Sequence, residues 1–471
     1  MIIDMSQIRE FLKSVLIFFM GNISSKIISF LMLPLYTNII SPADYGTYDL
    51  GVNYSNFLYN TLYFAIWVGT LRFMHKQKEL SWKQKVVSHS SILFALFTCF
   101  YTVVFYLVNQ AVQIEDYLHI FVYGFLLACQ MQVSYIARGY KKNALFAFSG
   151  TANTVVTAVL NILLISVFRM KYQILFISAD VGILVQLVIL TTGMKKELHF
   201  SHTKIQIQFL KEIFKYCAPL LLNFSAMWFM TNYNRVVIVQ KLGAEQNGYY
   251  AIAAKFNMII TLLGNCVGFA WQEVSFQRGY RGEKDTDFYN NATSFYLKTL
   301  FCGYFLLLPI ISIMFNVLIG PAYLSSKGLI PLAMLGAMLG VFGGFLGDIF
   351  LALNKTTVVS ISLIISGGIN IIAVHLLLPK YGIGAANVAA FFGYMANIVI
   401  RYMILKKIIG VQIKGCIKII IAGSLYYIFA KWMFNNGDFW GNCLILIITL
   451  VMTLFSYKEL ILRLIRQEEK L

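Results

Sequence analysis

Charged residues are scarce in this chain of 471 residues, where Asp, Glu, Lys and Arg together make up 12%. A soluble protein carries roughly twice that fraction, about a quarter of its residues. Hydrophobic residues reach 59% instead. Apolar runs of about 20 residues, enough to cross ~30 Å of hydrocarbon, recur from end to end. The composition excludes a soluble protein and predicts an all-α integral membrane protein.

Motifs for catalysis and metal binding are also missing. The seven cysteines form no Cys-x-x-Cys pair and mostly lie in or beside apolar segments, as buried small hydrophobic residues do. There is no P-loop for ATP, and no His-Glu-x-x-His or Gly-x-Ser-x-Gly motif. We therefore expect a protein that is not an enzyme, with no metal site and no organic cofactor. Coupling to H⁺ or Na⁺ stays open.

Hydropathy and polar punctuation predict about fourteen membrane spans. Their approximate bounds are 11–40, 45–71, 86–109, 117–137, 144–168, 173–194, 213–242, 248–272, 292–319, 329–353, 357–378, 383–405, 411–433 and 439–457. The last two are the weakest and have re-entrant or interfacial alternatives. The first run lacks a small-residue cleavage motif, so we expect it to be a retained helix and not a signal peptide.

The basic residues are distributed unevenly between the two sides that these spans define. With a cytoplasmic N-terminus, about 29 of the 38 Lys and Arg residues fall on the cytoplasmic side, as the positive-inside rule requires. An even number of spans then places both termini in the cytoplasm. Topology and attraction to anionic inner-leaflet lipids explain the net charge of +18, and no nucleic acid partner is needed.

Two short segments resemble each other. Residues 41–50 read SPADYGTYDL and residues 243–252 read GAEQNGYYAI, so that Gly46 falls on Gly248. Each segment follows a long hydrophobic helix, and the offset of about 200 residues corresponds to six spans. The repeat predicts two pseudo-symmetric six-helix lobes around a central cavity, as in many transporters. The predicted domains are an N-lobe over 1–205, a C-lobe over 206–408, and two C-terminal helices with a tail over 409–471.

Three cations inside the predicted spans are candidates for a binding site, because an ionisable side chain there is costly and marks a functional site by default. Lys26 lies near the middle of the first span, whereas Arg235 and Lys255 lie nearer the outer surface, where snorkelling is an alternative. Phosphate offers a desolvated cation strong charge-assisted hydrogen bonds. We predict that these three contact the pyrophosphate of a lipid substrate. Arg72, at the end of the second span, is a fourth candidate. The positive-inside rule alone would also explain a basic residue at this position.

Acids inside the spans are fewer than cations. Asp49, Asp180 and Asp348 are each candidates for coupling to protons or Na⁺. Each is equally a candidate for a structural partner, for example Asp49 for Lys26.

Asparagines on helix faces are candidates for the lining of a polar, sugar-accommodating cavity, with interhelical hydrogen bonding as an equal alternative. We single out Asn22, Asn53 and Asn234. Pro34 and Pro219 interrupt the first helix of each predicted lobe and predict kinks there.

Four segments resemble one known family. Residues 21–50 look like the opening of the oligosaccharide flippases, the Wzx-type polysaccharide transporters of the multidrug/oligosaccharidyl-lipid/polysaccharide exporter superfamily. Residues 234–256 resemble the start of that family's second lobe. Residues 354–356 resemble its turn before the eleventh helix, and residues 378–394, LPKYGIGAANVAAFFGY, its link into the twelfth. The four segments occur in the family's order and spread over most of the chain.

The resemblance implies a flippase that carries an undecaprenyl-pyrophosphate-linked oligosaccharide to the outer leaflet by alternating access. By position, Lys26 and Arg72 match basic sites of the family's first lobe, and Arg235 matches the Arg that opens the second. The family often has an acid before that Arg, whereas this chain has Asn234. This departure puts ion coupling at that position in doubt.

The same reading implies O-antigen or capsule assembly, the bacterial inner membrane, and the polymerase and chain-length proteins of the pathway as partners. One alternative is a cation-coupled exporter of small molecules from the same superfamily, which would favour an acidic cavity. A second is a membrane glycan polymerase or acyltransferase, which would need a long outer loop and a catalytic cluster. A third is a passive scramblase or a scaffold for glycan assembly.

Overall fold

The computed structural model describes residues 25–167, 171–198, 205–264, 286–353, 355–412 and 439–458, with shorter pieces at 268, 271, 275, 426–429, 431–432, 434 and 436. All regular secondary structure in these ranges is helical. An α-helix satisfies its backbone hydrogen bonds within one segment, which is what a hydrocarbon environment demands. The predicted all-α membrane fold is therefore confirmed.

The chain divides into two compact units, Met1–Gly248 and Tyr249–Leu471. The helices of the first unit are α1 (Leu33–Ile39), α2 (Pro42–Leu62), α3 (Ile66–Met74), α4 (Leu80–Val112), α5 (Tyr117–Gly139), α6 (Asn143–Asn161), α7 (Ile174–Gly193), α8 (Ile207–Thr231), α9 (Tyr233–Leu242) and the start of α10 (Ala244–Lys255). A π-helix, Ile162–Val167, continues α6. The predicted lobe boundaries, at residues 205 and 408, stay predictions.

The second unit contains α11 (Thr286–Leu318), α12 (Ile330–Ala352), α13 (Thr356–Tyr381), α14 (Gly384–Ile409) and α15 (Phe439–Ser456). A 3₁₀ segment, Pro321–Leu329, precedes α12. Within this unit α14 packs against both α12 and α13, and α11 packs against α12 and α15. The aromatic ring of Phe345 on α12 stacks on Trp271 and Tyr296, with ring centroids 4.2 and 4.5 Å apart.

Nine helices among the described residues are long and apolar enough to cross a membrane, and Phe439–Phe455 is a shorter apolar helix. The predicted number of about fourteen is not confirmed. The predicted spans 11–40 and 411–433 lie partly outside the described residues, as does 248–272. The predicted span 45–71 is divided into two helices, and neither half alone meets the length and hydropathy of a span.

The division of that span has a local cause. Ser41 caps α2 by accepting a hydrogen bond from the backbone N–H of Asp44 at 3.2 Å, and Pro42 starts the helix. The helix ends at Leu62 because Phe64 and Ala65 have φ angles of 52° and 46°. Each costs about 1–2 kcal/mol in this left-handed region, and together they break the run before α3.

The core of the first unit is aromatic. Tyr63, Trp67, Tyr101 and Phe105 are all buried in one cluster. The hydroxyl of Tyr101 donates to the backbone oxygen of Phe121 at 3.0 Å, so the polar end of this buried ring is satisfied. This bond joins α4 to α5 without leaving the Tyr101 hydroxyl unpaired.

Candidate substrate-binding site

An arginine and an aspartate form an ion pair inside the first unit. The Nε atom of Arg235 on α9 donates to the Oδ2 atom of Asp49 on α2 at 2.7 Å. Only 13% and 11% of the two side-chain surfaces are exposed. Both residues lie in predicted spans, where paired charges persist because each offsets the desolvation of the other. The suggested Asp49–Lys26 pairing is wrong, because the carboxylate pairs with Arg235.

A break between α8 and α9 positions Arg235. Asn232 separates the two helices, with φ −124° and ψ −19°. The Nη1 atom of Arg235 donates to the Oδ1 atom of Asn232 at 3.0 Å and lies 3.5 Å from the carbonyl oxygen of Thr231. The break therefore supplies acceptors from the arginine's own segment. Pro219, where a kink was predicted, lies inside α8.

The predicted cavity asparagines have different surroundings. Asn53 is buried on α2, and its Nδ2 atom donates to the backbone oxygen of Asp49 at 2.6 Å and approaches the Oδ2 atom at 3.3 Å. Asn53 therefore holds the Asp49 carboxylate in position from the next turn of α2. Asn234 is buried beside Arg235 along α9. Asn22 lies outside the described residues.

One face of α2 continues this contact over about 16 Å, three turns of helix. We call it the α2 seam, formed by Pro42, Gly46, Asp49 and Asn53 on α2 and by Trp228, Arg235, Asn247 and Gly248 opposite them. Its α2 members recur every three or four residues, the spacing of a single helix face. The indole Nε1 of Trp228 donates to the backbone oxygen of Asn53 at 3.3 Å. The buried Asn247 amide donates to the backbone oxygen of Gly46 at 2.7 Å.

Tyrosines surround the carboxylate end of the ion pair. The rings of Tyr36 and Tyr45 are 6.1 Å apart, and those of Tyr45 and Tyr48 are 6.0 Å apart. Tyr45 is buried and lies within electrostatic range of both Asp49 and Arg235. These rings keep the immediate surroundings of the pair apolar, which strengthens its electrostatics.

The other three predicted cations lie in separate surroundings. Lys26 is half-buried in the helical residues 25–31, and no ion pair involves it among the described residues. Arg72 is exposed in the last turn of α3, with its guanidinium carbon 4.2 Å from the ring centre of Tyr216. Lys255 is half-buried at the end of α10 and belongs to the second unit. Their role in binding substrate stays a prediction.

Asp180 on α7 is a partly buried acid. Its Oδ1 atom has no hydrogen-bond partner among the described residues. The phenol of Tyr123 lies within electrostatic range of this carboxylate. A buried carboxylate oxygen without a donor is costly unless a proton or cation compensates it, so Asp180 keeps its place as a coupling candidate.

Asp348, the third predicted acid, lies on α12 close to a cation that sequence reasoning missed. Arg401 on α14 is buried, and Asp348 stabilises its charge. The Arg401 guanidinium donates to the carbonyl oxygen of Gly343 at 2.5 Å and to the Oγ atom of Ser362 at 2.9 Å. Arg401 thus ties α14 to α12 and α13. Sequence analysis could have identified Arg401, because it is a cation inside the apolar predicted span 383–405.

Metal-binding geometry is not evident in the part of the chain that the structure describes. No three His, Cys, Asp or Glu side chains there lie close enough together to hold a metal ion. The arrangement that remains is a guanidinium held within a span by a carboxylate and a helix break. Such a group can exchange one anionic partner for another, since guanidinium forms bidentate bonds with carboxylates and phosphates alike.

Comparison with solved structures identifies the fold. The structure of "Lipid II flippase MurJ, inward closed conformation" aligns with a TM-score of 0.71 at 16% identity, covering 95% of this chain and 100% of that one. An inward-facing multidrug resistance MATE family transporter of the MOP superfamily aligns at 0.67 and 14% identity, covering 83% and 94%. Its outward-facing counterpart aligns at 0.59 and 12% identity, covering 84% and 94%. A search of curated protein sequences finds no match.

The fold and its apolar helices define a multi-pass membrane protein with the architecture of these transporters. A family model described as "Polysaccharide biosynthesis protein" matches residues 11–276, more than half of the chain. The chain therefore belongs to the polysaccharide biosynthesis protein family. The resemblance found in the sequence is thereby confirmed at the level of the family and the superfamily fold.

Proposed function

We propose that the protein is a flippase for an undecaprenyl-pyrophosphate-linked oligosaccharide repeat unit, moving it from the cytoplasmic to the outer leaflet by alternating access. The observation that carries this proposal is the Arg235–Asp49 pair, a guanidinium inside a predicted span with an exchangeable anionic partner. Membership of the polysaccharide biosynthesis family supports a role in surface glycan assembly. A structural neighbour that is a lipid II flippase supports a lipid-linked substrate.

The proposed binding step is an exchange of anions on Arg235. In the paired form the guanidinium is bonded to Asp49 and Asn232. An incoming pyrophosphate offers several acceptor oxygens in a geometry that matches the guanidinium fork. It therefore displaces the carboxylate, and Arg235 keeps a partner throughout. Lys26, Lys255 and Arg72 are each proposed as further cations that contact the substrate.

The displaced carboxylate provides a rationale for ion coupling. An unpaired carboxylate within the membrane is unfavourable, so Asp49 takes up a proton or Na⁺ when pyrophosphate occupies Arg235. Release of the substrate lets the ion pair re-form and discharges the ion. Asp180, with its unpartnered Oδ1 atom, is the second coupling candidate. Asp348 is the weakest of the three because Arg401, beside it, is held in place by Gly343 and Ser362.

Polar groups on α2 fit the glycan part of the substrate. The side-chain nitrogens of Asn56 and Asn60 donate to backbone oxygens one turn earlier on α2, both at 2.8 Å. Side-chain amides of this kind can form hydrogen bonds with sugar hydroxyls. On this proposal the protein resides in the bacterial cytoplasmic (inner) membrane with both termini in the cytoplasm. It delivers O-antigen or capsule units to polymerase and chain-length proteins.

A deletion strain tests the proposal. The strain is complemented with wild type, Arg235→Ala, Arg235→Lys or Asp49→Asn, and the amount of each variant in the membrane fraction is measured. Surface polysaccharide and the sidedness of lipid-linked repeat units are then assayed. We expect Arg235→Ala to lose surface polysaccharide while intact units accumulate on the cytoplasmic leaflet. Arg235→Lys should retain part of the function because it keeps the charge and loses the fork.

The same assay separates the alternatives. Single units on the cell surface, with lipid-linked units reaching the outer leaflet, would indicate a polymerase or a later step and reject the flippase. Normal surface polysaccharide in the deletion strain, with increased sensitivity to small organic cations, would indicate an exporter instead. Transport that proceeds unchanged without an ion gradient would indicate a scramblase and remove the coupling role of Asp49.

A further inference from the structure

Four basic side chains meet at one end of the first unit, where α3 ends, α4 begins and α5 ends. They are His75, which follows α3, Lys83 in the first turn of α4, Arg138 in the last turn of α5, and Lys141 just beyond it. We call them the α3–α5 cation cluster. None of them belongs to the α2 seam or to the predicted substrate cations, so the proposed function leaves this cluster without a role.

Close helix packing holds the cluster together. A Cβ atom on Gly139, at the end of α5, would overlap the sulfur of Met74 at the end of α3. This contact brings His75 to the residues that follow Gly139. From α4, the ammonium of Lys83 donates to the backbone oxygen of Gly139 at 2.9 Å and lies 5.7 Å from the ring centre of Tyr140. The three helix ends are therefore fixed relative to one another.

The charges in the cluster repel each other. Partial burial and then the charges of Lys83, Lys141 and Arg138 hold the pKa of His75 below its ordinary value. The imidazole therefore lies among three cationic neighbours.

Lys142, which follows the cluster in the sequence, has an acidic partner. Glu197 forms an ion pair with Lys142 at 2.8 Å, and the same lysine donates to the backbone oxygen of Gly193 at 2.7 Å. Glu79, at the start of α4, is exposed and accepts a 3.4 Å bond from Ser81. One acid–base pair thus forms immediately beside the cluster.

The backbone of Lys141 is strained. Its φ angle is 61°, in the left-handed region that glycine adopts without cost at the end of a helix. The N–H of Lys141 bonds to the oxygen of Arg138, and that of Lys142 bonds to the oxygen of Ala137, both at 2.9 Å, the pattern of a helix end that normally carries glycine. A lysine here gives up backbone stability and adds charge to an already cationic cluster, an arrangement typical of functional sites.

We infer that the α3–α5 cation cluster binds the phosphate of an anionic phospholipid headgroup. The cluster is at the ends of membrane helices, where lipid phosphates are concentrated, and its charge is complementary to theirs. Aromatic rings flank it as they do at membrane interfaces, with Arg138 4.7 Å from the ring centre of Tyr135. A bound phosphate offsets the mutual repulsion of the lysines and explains why Lys141 occupies a position suited to glycine.

Lys141→Gly provides the sharpest test because it removes a charge and also relieves the backbone strain. The full-length protein in neutral detergent is titrated with phosphatidylglycerol, with phosphatidylcholine of the same acyl chains, or with inorganic phosphate. Binding is followed by native mass spectrometry, and thermal unfolding is measured in parallel. We expect phosphatidylglycerol to bind the wild type in preference to phosphatidylcholine. Lys141→Gly should bind it about fivefold more weakly while unfolding at the same or a higher temperature.

Two further variants make the outcome decisive. Lys83→Gln should weaken binding by a similar factor, whereas Lys195→Gln, which removes an exposed lysine after α7, should leave it unchanged. If the glycine variant folds poorly, Lys141→Asn replaces it, because asparagine also tolerates a left-handed backbone. Equal binding of phosphatidylglycerol by the wild type and both cluster variants would overturn the inference. So would full competition by millimolar inorganic phosphate, which would identify the ligand as a free anion.

Discussion

Gly46 on α2 and Gly248 on α10 pack against each other without side chains between them. A Cβ atom on Gly46 would overlap the carbonyl oxygen of Ala244, and one on Gly248 would overlap the carbonyl oxygen of Pro42. The two glycines occupy equivalent positions in the internal repeat. The two matching segments of the sequence repeat therefore contact each other through these two glycines, at one end of the α2 seam.

Gly46→Ala should therefore destabilise the protein. The added methyl group meets backbone atoms, which cannot rotate away as a flexible side chain would. We expect a loss of about 1–3 kcal/mol in the free energy of unfolding, as for other overpacked sites, together with reduced transport. Thermal unfolding of the purified protein in detergent measures the first effect.

Gly344→Ala is the matched control, because nothing lies within 4 Å of a Cβ atom built there. An alanine in that helix position should be neutral or stabilise by up to about 1 kcal/mol. A loss of stability in the control equal to that of Gly46→Ala would show that the close contact of the repeat is not the cause.

The Arg235–Asp49 pair should show strong coupling in a double-mutant cycle. Asp49→Asn alone leaves a buried guanidinium without its counter-charge and should cost about 3–5 kcal/mol of stability. Asp49→Asn combined with Arg235→Gln removes both charges and should recover part of that loss, giving a coupling energy of about 1–3 kcal/mol. Denaturant or thermal unfolding of the four proteins measures the cycle. Additive effects would mean that the 2.7 Å contact contributes nothing.

Arg401 should be a structural residue of the second unit. Its guanidinium donates to Gly343, Ser362 and the backbone oxygen of Val359, so Arg401→Ala removes three hydrogen bonds and leaves a cavity. We expect a loss of about 2–5 kcal/mol in thermal unfolding. Lys406→Ala, an exposed cation on the same helix, should change stability by less than about 0.5 kcal/mol. A stable, inactive Arg401→Ala protein would instead assign Arg401 to transport.

The Lys142–Glu197 pair predicts a small dependence of stability on pH. A hydrogen bond from Lys142, together with its charge, holds the pKa of Glu197 below its ordinary value. The pair therefore stabilises the folded state above about pH 4.3, the unfolded carboxyl value, and this contribution is lost as the pH falls through the lower folded pKa. Because the pair is partly exposed, its contribution should stay below about 1 kcal/mol.

Thermal unfolding of wild type and Lys142→Gln between about pH 3 and 7 measures that contribution. The two proteins should differ most near pH 7 and converge in acid. A difference that grows as the pH falls would contradict the assigned sign.

Sequence patterns predicted the class of fold because hydrophobic length has a direct physical meaning in a membrane. The prediction for α13 matched to within a few residues, since a long apolar run between polar turns leaves little choice. The division between α2 and α3 was missed. Phe64 and Ala65 are ordinary helix residues, and only tertiary packing holds them at positive φ.

The candidate site shows the same limit. The sequence singled out Arg235 and Asp49 because charges in apolar runs are unusual, but it could not pair them across 186 positions. It suggested Lys26 as the partner of Asp49, on the basis of charge alone. The helix break at Asn232, which gives Arg235 its second acceptor, has no signal such as proline or glycine beside it.

Translocation by the purified protein tests the central claim most directly. The protein is reconstituted into vesicles that carry a lipid-linked oligosaccharide, and access of a membrane-impermeant glycosidase to that oligosaccharide is followed over time. The account predicts that wild type exposes the protected pool and that Arg235→Ala, reconstituted in equal amount, does so at least about tenfold more slowly. A wild-type protein that leaves the pool protected, or an Arg235→Ala protein as fast as wild type, would contradict it.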